Sequence, residues 1–259
     1  MLMSRFTILM YHIIDTPQTQ AEAKYACPPE LFEQHLQYLK NSIHTVVSLT
    51  DIEEHLSTGK ALPRDAVALT LDDGFQDNYT KAFPLLKKHG IPATIFLASG
   101  VVGGTNNWMK GRGFPERKML NWDQIREMNN HQISFGAHTV THPKLPELND
   151  ASAEQEITQS KIAIEENLGQ PCKHFAYPYG LFNDRTPAIV KQYGFTLACS
   201  TRSGFNNPAR DPYILHRIEV YGTDPSWKLK QKMTFGINDA SRLFPFKYYS
   251  NQLLKKIGL

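Results

Sequence analysis

The sequence predicts an α/β fold in which a parallel sheet is covered by helices. Two observations lead there. Short apolar, β-rich runs recur along the chain, and amphipathic helical patterns separate most of them. The runs are near-continuously apolar rather than alternating, as in strands buried on both faces. With 259 residues, 41% hydrophobic and 20% charged, the chain can bury a substantial core.

The first run spans residues 6–14. It makes a poor export signal, because few apolar residues separate Arg5 from Tyr11 and His12 and no small-residue cleavage site follows. A buried strand in a cytoplasmic protein is the expectation. A helix opens at Pro28-Pro29-Glu30 with Leu31, Phe32, His35, Leu36 and Leu39 on one face. Strands follow at 45–49 and 66–71, then a helix over 77–89 closed by Gly90 and Pro92. Strands at 93–98 and 132–137 flank a Gly-rich stretch, 101–118, which contains Trp108 and reads as one long loop over the rim. A helix over 150–168 ends at Gly169, a strand lies at 173–177, and a helix over 184–193 ends at Gly194. Strands at 196–200 and 213–220 complete the pattern. The stretch from Leu243 to Ile257 is aromatic, then amphipathic and basic. It reads either as a helix closing the outer layer or as an interfacial membrane anchor.

No internal repeat, low-complexity tract or Gly/Ser-rich linker divides the chain, so residues 1–259 read as a single domain with 240–259 as a C-terminal extension. A net charge of +3 is too small to argue for nucleic acid. No stretch has the length needed to cross a bilayer. Cys27, Cys172 and Cys199 are odd in number and form no CxxC pair, which points to buried reduced thiols rather than a zinc ribbon or a disulfide framework.

In parallel-sheet folds, functional residues gather where strands run out into loops at their carboxyl ends. Asp72, Asp73, His138, Pro178 and Tyr179 each sit at such an end. Asp72-Asp73-Gly74 follows a buried run, so the turn aims a carboxylate inward, which is costly unless it meets a cation. His138-Thr139-Val140-Thr141-His142 sets two imidazoles four positions apart, on one face if the segment is a turn of helix. One carboxylate and two neutral imidazoles commonly hold a hydrolytic divalent metal with a position open for water. The second carboxylate is then left over as a base.

These segments resemble a known family. Thr70-Leu71-Asp72-Asp73-Gly74 is similar to the TFDDG signature of the polysaccharide deacetylases (NodB homology, carbohydrate esterase family 4). His138 to His142 resembles that family's H-[ST]-x-x-H, and Ala176-Tyr177-Pro178-Tyr179-Gly180 its R-x-P-Y-G. The resemblance runs from about Ile8 to Val220, and the first two signatures at this separation are highly specific. It implies a distorted (β/α) barrel of about seven strands, a divalent ion (usually zinc, Zn2+), and removal of N-acetyl groups from amino sugars. Carried over, Asp73, His138 and His142 are the metal ligands, Asp72 the general base, and Tyr179 a backbone donor to the oxyanion, with Pro178 beside it.

The chain departs from the family pattern in two places. Ala176 stands where the family has an arginine, and Arg202 or Arg217 is the candidate source of the missing charge. The family's general acid is a histidine in a Leu-x-His context; Leu215-His216 offers His216, one residue early, while an exopolysaccharide-type branch carries Leu-Pro-Arg-Ile there. That branch also starts with a Tyr-His pair, matched by Tyr11-His12, which makes His12 a candidate sugar contact along with Arg217. Trp108, Tyr177, Tyr179 and Phe182 are candidates for stacking on sugar rings. The expected activity is metal-dependent deacetylation of an N-acetylated sugar in a polysaccharide, glycoconjugate or lipid-linked precursor, at the inner face of the membrane if the C-terminal stretch anchors there. A deformylase or acetyl-ester hydrolase using the same centre is the alternative. A carbohydrate-binding pseudoenzyme is a second one, against which the retention of Asp72 with all three ligands argues.

Overall fold

The computed structural model describes residues 5–246 and 248–250. Its strands are β1 (Thr7–Tyr11), β2 (Thr45–Val46), β3 (Ala66–Leu71), β4 (Ala93–Leu97), β5 (Ile133–Ala137), β6 (His174–Ala176), β7 (Leu197–Cys199) and β8 (Ile218–Glu219). They form one sheet in the order β7-β6-β5-β4-β3-β1-β8, with β2 paired to the start of β3. Every strand pair is parallel. Each apolar run seen in the sequence contributes a strand, usually a shorter one.

The helices are α1 (Pro29–Asn41), α2 (Leu49–Thr58), α3 (Phe83–His89), α4 (Trp122–Asn129), α5 (Asp150–Leu168), α6 (Thr186–Gln192) and α7 (Ser226–Phe235). The 45–49 run is strand only at its start, because Ser48 caps α2 in a reciprocal capping box with Asp51. The helix expected over 77–89 begins as one wider turn, Asn78–Ala82, before α3. Cys27, Cys172 and Cys199 are buried and free, as expected.

Strand alternation sorts the side chains into two cores. On β3, Val67, Leu69 and Leu71 pack outward into the main helix-side core. Ala66 and Ala68 point the other way, into an inner cluster with Ile8, Phe96, Ala176 and Cys199 from β1, β4, β6 and β7. Leu49 and Ile52 of α2 belong to the same inner cluster. Gly136 on β5 is required by this packing: a Cβ there would lie 2.6 Å from the Phe96 ring and 2.8 Å from the His174 carbonyl oxygen.

The sheet curls into a distorted (β/α) barrel, and one short segment joins its two edges. Leu215 N–H donates to the Ala198 carbonyl (2.9 Å) and its own carbonyl accepts from Ser200 N–H (2.8 Å) beside β7. Three residues later Ile218 pairs with Leu9 of β1. The carboxyl ends of β1, β3 and β5 thereby open on one rim, where the polar groups collect.

Candidate active site

Strand β3 ends at Leu71, and the backbone turn immediately after it shapes the site. In a continuing strand Asp72 and Asp73 would face opposite sides. Instead Asp73 adopts a left-handed backbone (φ 75°), followed by Gly74 at φ 82°. Both carboxylates consequently line a single cavity of about 360 Å³, within the size range of small-ligand sites. Asp72 keeps the inward phase of Ala66, Ala68 and Thr70.

The two histidines reach the same cavity by a route other than the one their spacing suggested. The segment after β5 is a loop, not a turn of helix: Thr139 (φ 68°) and His142 (φ 60°) are left-handed. The loop is held from two sides. Glu156 of α5 accepts from the N–H groups of Val140 (2.8 Å) and Thr141 (2.9 Å) and from the Thr141 hydroxyl (2.7 Å). Ser99 and Gly100 donate to the Thr139 and Val140 carbonyls, and Gly100 is needed because a Cβ would lie 2.6 Å from Val140 Cγ1.

His138 Nε2 lies 3.5 Å and His142 Nε2 3.2 Å from Asp73 Oδ1. The three candidate ligand atoms all fall within 4.8 Å of one another. Two features show that the group fits a cation. Asp73 Oδ1 is buried yet accepts no hydrogen bond, an expensive state for a carboxylate oxygen unless a positive partner binds there. His138 Nδ1 lies 2.7 Å from the Ala176 carbonyl oxygen; donating there, the ring turns the lone pair of Nε2 into the site. Burial holds the His138 pKa down to about 4, so the ring is neutral and able to ligate near neutrality. Burial alone would raise Asp73, but the adjacent His142 outweighs it and the carboxyl stays well below its ordinary range. His142 is wedged between aromatic rings, stacked on Trp108 (4.9 Å) and edge-on to Tyr179 (4.6 Å).

Asp72 is held by a bidentate pair. Arg217 Nη1 donates to Oδ1 (2.6 Å) and Nη2 to Oδ2 (2.7 Å), while Nε donates to the Ser200 carbonyl (3.0 Å). Arg217 is fully buried behind Asp72 and does not line the cavity. Of the two arginines considered for the charge missing at Ala176, Arg217 is the one in place. It stands behind the carboxylate and is not a substrate contact. Burial pushes the Asp72 carboxyl upward, but the Arg217 charge more than offsets this and keeps it ionised below its usual range.

Trp108, His12 and Tyr179 line the cavity as expected. Tyr179 has a left-handed backbone (φ 57°), and its hydroxyl accepts from Arg112 (3.0 Å). Pro178 is buried and outside the lining. His216 is not brought to the cavity: it follows Leu215 with the opposite strand phase to Arg217, and its Nε2 lies 2.9 Å from Arg210 Nη1. Tyr177 is a core residue, packed on Phe182 (5.0 Å) with its hydroxyl on the Tyr213 carbonyl. Sequence reasoning missed Lys24, Tyr25 and Glu219, which border the cavity, and Lys24 pairs with Glu219 (3.2 Å). It also missed Arg117, buried against Glu22 and Asp15. That cluster fastens the 101–118 loop to the segment after β1.

Comparison with known proteins places this arrangement. A family model described as polysaccharide deacetylase matches residues 59–198, just over half of the chain. The chain belongs to the polysaccharide deacetylase family. Its relatives include the poly-beta-1,6-N-acetyl-D-glucosamine N-deacetylase of Staphylococcus aureus, 27% identical over 205 residues, which are 76% of this chain and 68% of that protein. Among solved structures, the Streptococcus pyogenes deacetylase PplD superposes with a TM-score of 0.78 at 29% identity, covering 89% of this chain and 99% of that one. IcaB from Ammonifex degensii superposes with a TM-score of 0.71 at 29% identity, covering 84% and 92%. This polysaccharide deacetylase is accordingly a hydrolase of the carbohydrate N-deacetylase kind. Among the described residues, no helix is long and apolar enough to cross a membrane.

Proposed function

We propose that the protein removes the N-acetyl group from an amino sugar, of N-acetylglucosamine type, in a glycan or its lipid-linked precursor, with a divalent cation held by Asp73, His138 and His142. The observation that carries this reading is the buried, unpartnered Asp73 Oδ1 facing two imidazole nitrogens. A cation bound there, zinc by the preference of an N/O donor set of this kind, supplies Lewis acidity toward the amide carbonyl and the attacking water.

The chain's own groups do the rest. Asp72, ionised and fixed by Arg217, takes the proton from water at a carboxylate oxygen; each oxygen has a second lone pair beyond the one Arg217 uses. The Arg217 pair weakens Asp72 as a base but fixes its orientation and charge. The Tyr179 backbone N–H serves the developing oxyanion. The departing amine needs a proton, and His12 is the imidazole on the cavity wall that is not in the ligand set, so the acid role moves from His216 to His12. Trp108 and Tyr179 form the wall against which a sugar ring packs.

The test is acetate release from short N-acetylglucosamine oligomers and from lipid-linked glycans. Turnover should vanish on chelation, return with zinc, and be lost in Asp72→Asn and His12→Gln but not in His216→Gln. Chelator-resistant turnover, or release of formate instead of acetate, would sink the reading.

A further inference from the structure

Two kinds of side chain are segregated at the C-terminal end of this protein. Of eight large apolar side chains left exposed among the described residues, five lie between 227 and 249: Trp227, Leu243, Phe246, Tyr248 and Tyr249. Phe246 is 76%, Leu243 65% and Tyr249 61% exposed. The same end carries the positive charge. From residue 226 onward the sequence has seven Lys and Arg against a single acid, Asp239, whereas the rest of the chain is net negative. Two of the seven, Lys228 and the buried Lys232, are ion-paired with Asp224, and Lys230 and Arg242 are exposed.

The patch is built rather than frayed. Phe235 at the end of α7 contacts the rings of Phe244, Tyr248 and Tyr249 at 5.3, 4.8 and 6.0 Å. Gln231 Nε2 donates to the Ser241 carbonyl (2.9 Å), and its Oε1 accepts from Ser241 N–H (2.7 Å). The aromatic cluster thus secures the turn while Leu243 and Phe246 project from it, with Arg242 adjacent. The connection to α7 is also tied to the site: Asn238 Oδ1 accepts from the N–H of Glu219 (2.8 Å), the β8 residue that borders the cavity.

We propose that this face docks on an anionic lipid surface, with Leu243, Phe246 and Tyr249 entering the interfacial region and Arg242 and Lys230 facing the head groups. Exposed aromatic and aliphatic side chains on a segment that also carries exposed cations are what such a surface recognises. The charge complementarity selects lipid over a second copy of this chain, because two copies meeting through this face would bring like charges together. Among the described residues no helix is long and apolar enough to cross a membrane.

The experiment is flotation of the full chain with vesicles of phosphatidylcholine alone and of phosphatidylcholine with one third phosphatidylglycerol. The protein should float with the anionic vesicles and release as salt is raised. Leu243→Ser/Phe246→Ser should lose most of the binding. Lys230→Glu/Arg242→Glu should weaken it by roughly tenfold or more. These positions are surface-exposed and outside the cavity lining, so circular dichroism and hydrolysis of a soluble oligosaccharide should be unchanged, which guards against misfolding. Equal binding by intact and substituted proteins, or no binding by either, overturns the proposal. So does light scattering that shows a dimer abolished by Leu243→Ser/Phe246→Ser. Vesicle binding by the catalytically dead Asp72→Asn protein keeps this outcome separate from the fate of the substrate reading.

Discussion

At the scale of single residues, the buried Arg217–Asp72 pair is the most consequential contact. Arg217→Ala leaves a buried carboxylate without a partner and should cost roughly 3–5 kcal/mol of stability in urea denaturation. Turnover should fall about 100-fold or more as the base loses its orientation. The double variant Asp72→Asn/Arg217→Met should recover most of the stability and none of the activity; recovery of neither would place the role of Arg217 elsewhere. A second buried carboxyl gives a pH signature. Asp77, whose Oδ1 accepts from Ile14 N–H (2.6 Å), is pushed up to about 6, chiefly by burial. Since the folded pKa lies above the unfolded one, the contribution to stability is full below about pH 4 and is lost as pH rises through about 6, for about 3 kcal/mol. Asp77→Asn keeps an acceptor for Ile14 without the charge. Its stability relative to wild type should therefore grow between those two pH values, and parallel curves would refute the assignment. Asp72, Asp73, His138 and His142 were legible in the sequence because their spacing and strand-end positions are chemical signals. Arg217 was legible only as one of two candidates, since hydropathy does not announce a guanidinium inside a barrel.

At the scale of elements, the strands were readable because burial on both faces leaves near-continuous apolar runs. The helices α2, α4 and α7 were not assigned. For α2 and α4 the missed signal is local: Ser48 with Asp51 and Asn121 with Gln124 are reciprocal capping boxes, each just before a short apolar stripe. The helical reading of His138 to His142 failed for a different reason. An i, i+4 spacing also suits a loop with two left-handed residues, and the loop's geometry comes from partners far away in the chain, above all Glu156. This makes Glu156 a positioning residue. Glu156→Ala should weaken zinc binding about tenfold or more, measured by competition with a chromophoric chelator, while costing only about 1 kcal/mol of stability. Unchanged affinity would show that Ser99 and Gly100 hold the loop unaided.

At the scale of the whole molecule, the barrel concentrates groups from β1, β3, β5 and the segment after β6 on one rim, with α5 behind and the 101–118 loop in front. Packing tolerance is lowest inside. Gly136→Ala must displace Phe96 or the backbone at His174, and should destabilise the fold by about 1–3 kcal/mol in denaturant titration; no measurable loss would mean that the inner cluster yields easily. The barrel class was legible from the resemblance and the alternation of elements. The closing seam was legible only as an apolar run over 213–220: the strand is confined to two residues of β8 that pair with β1, and periodicity does not say which edge a run will join.

That seam has a consequence for how activity arises during synthesis. All three signature motifs have been translated by Gly180, and the family-matched portion ends at residue 198. Yet the guanidinium that neutralises Asp72 arrives only when the last edge is zipped shut. A nascent or clipped polypeptide stopping before Arg217 would carry all three signature motifs and yet lack the partner that holds Asp72, because completing the cylinder and pairing that carboxylate are one event. Under the proposed role of Asp72 its turnover should be severely impaired.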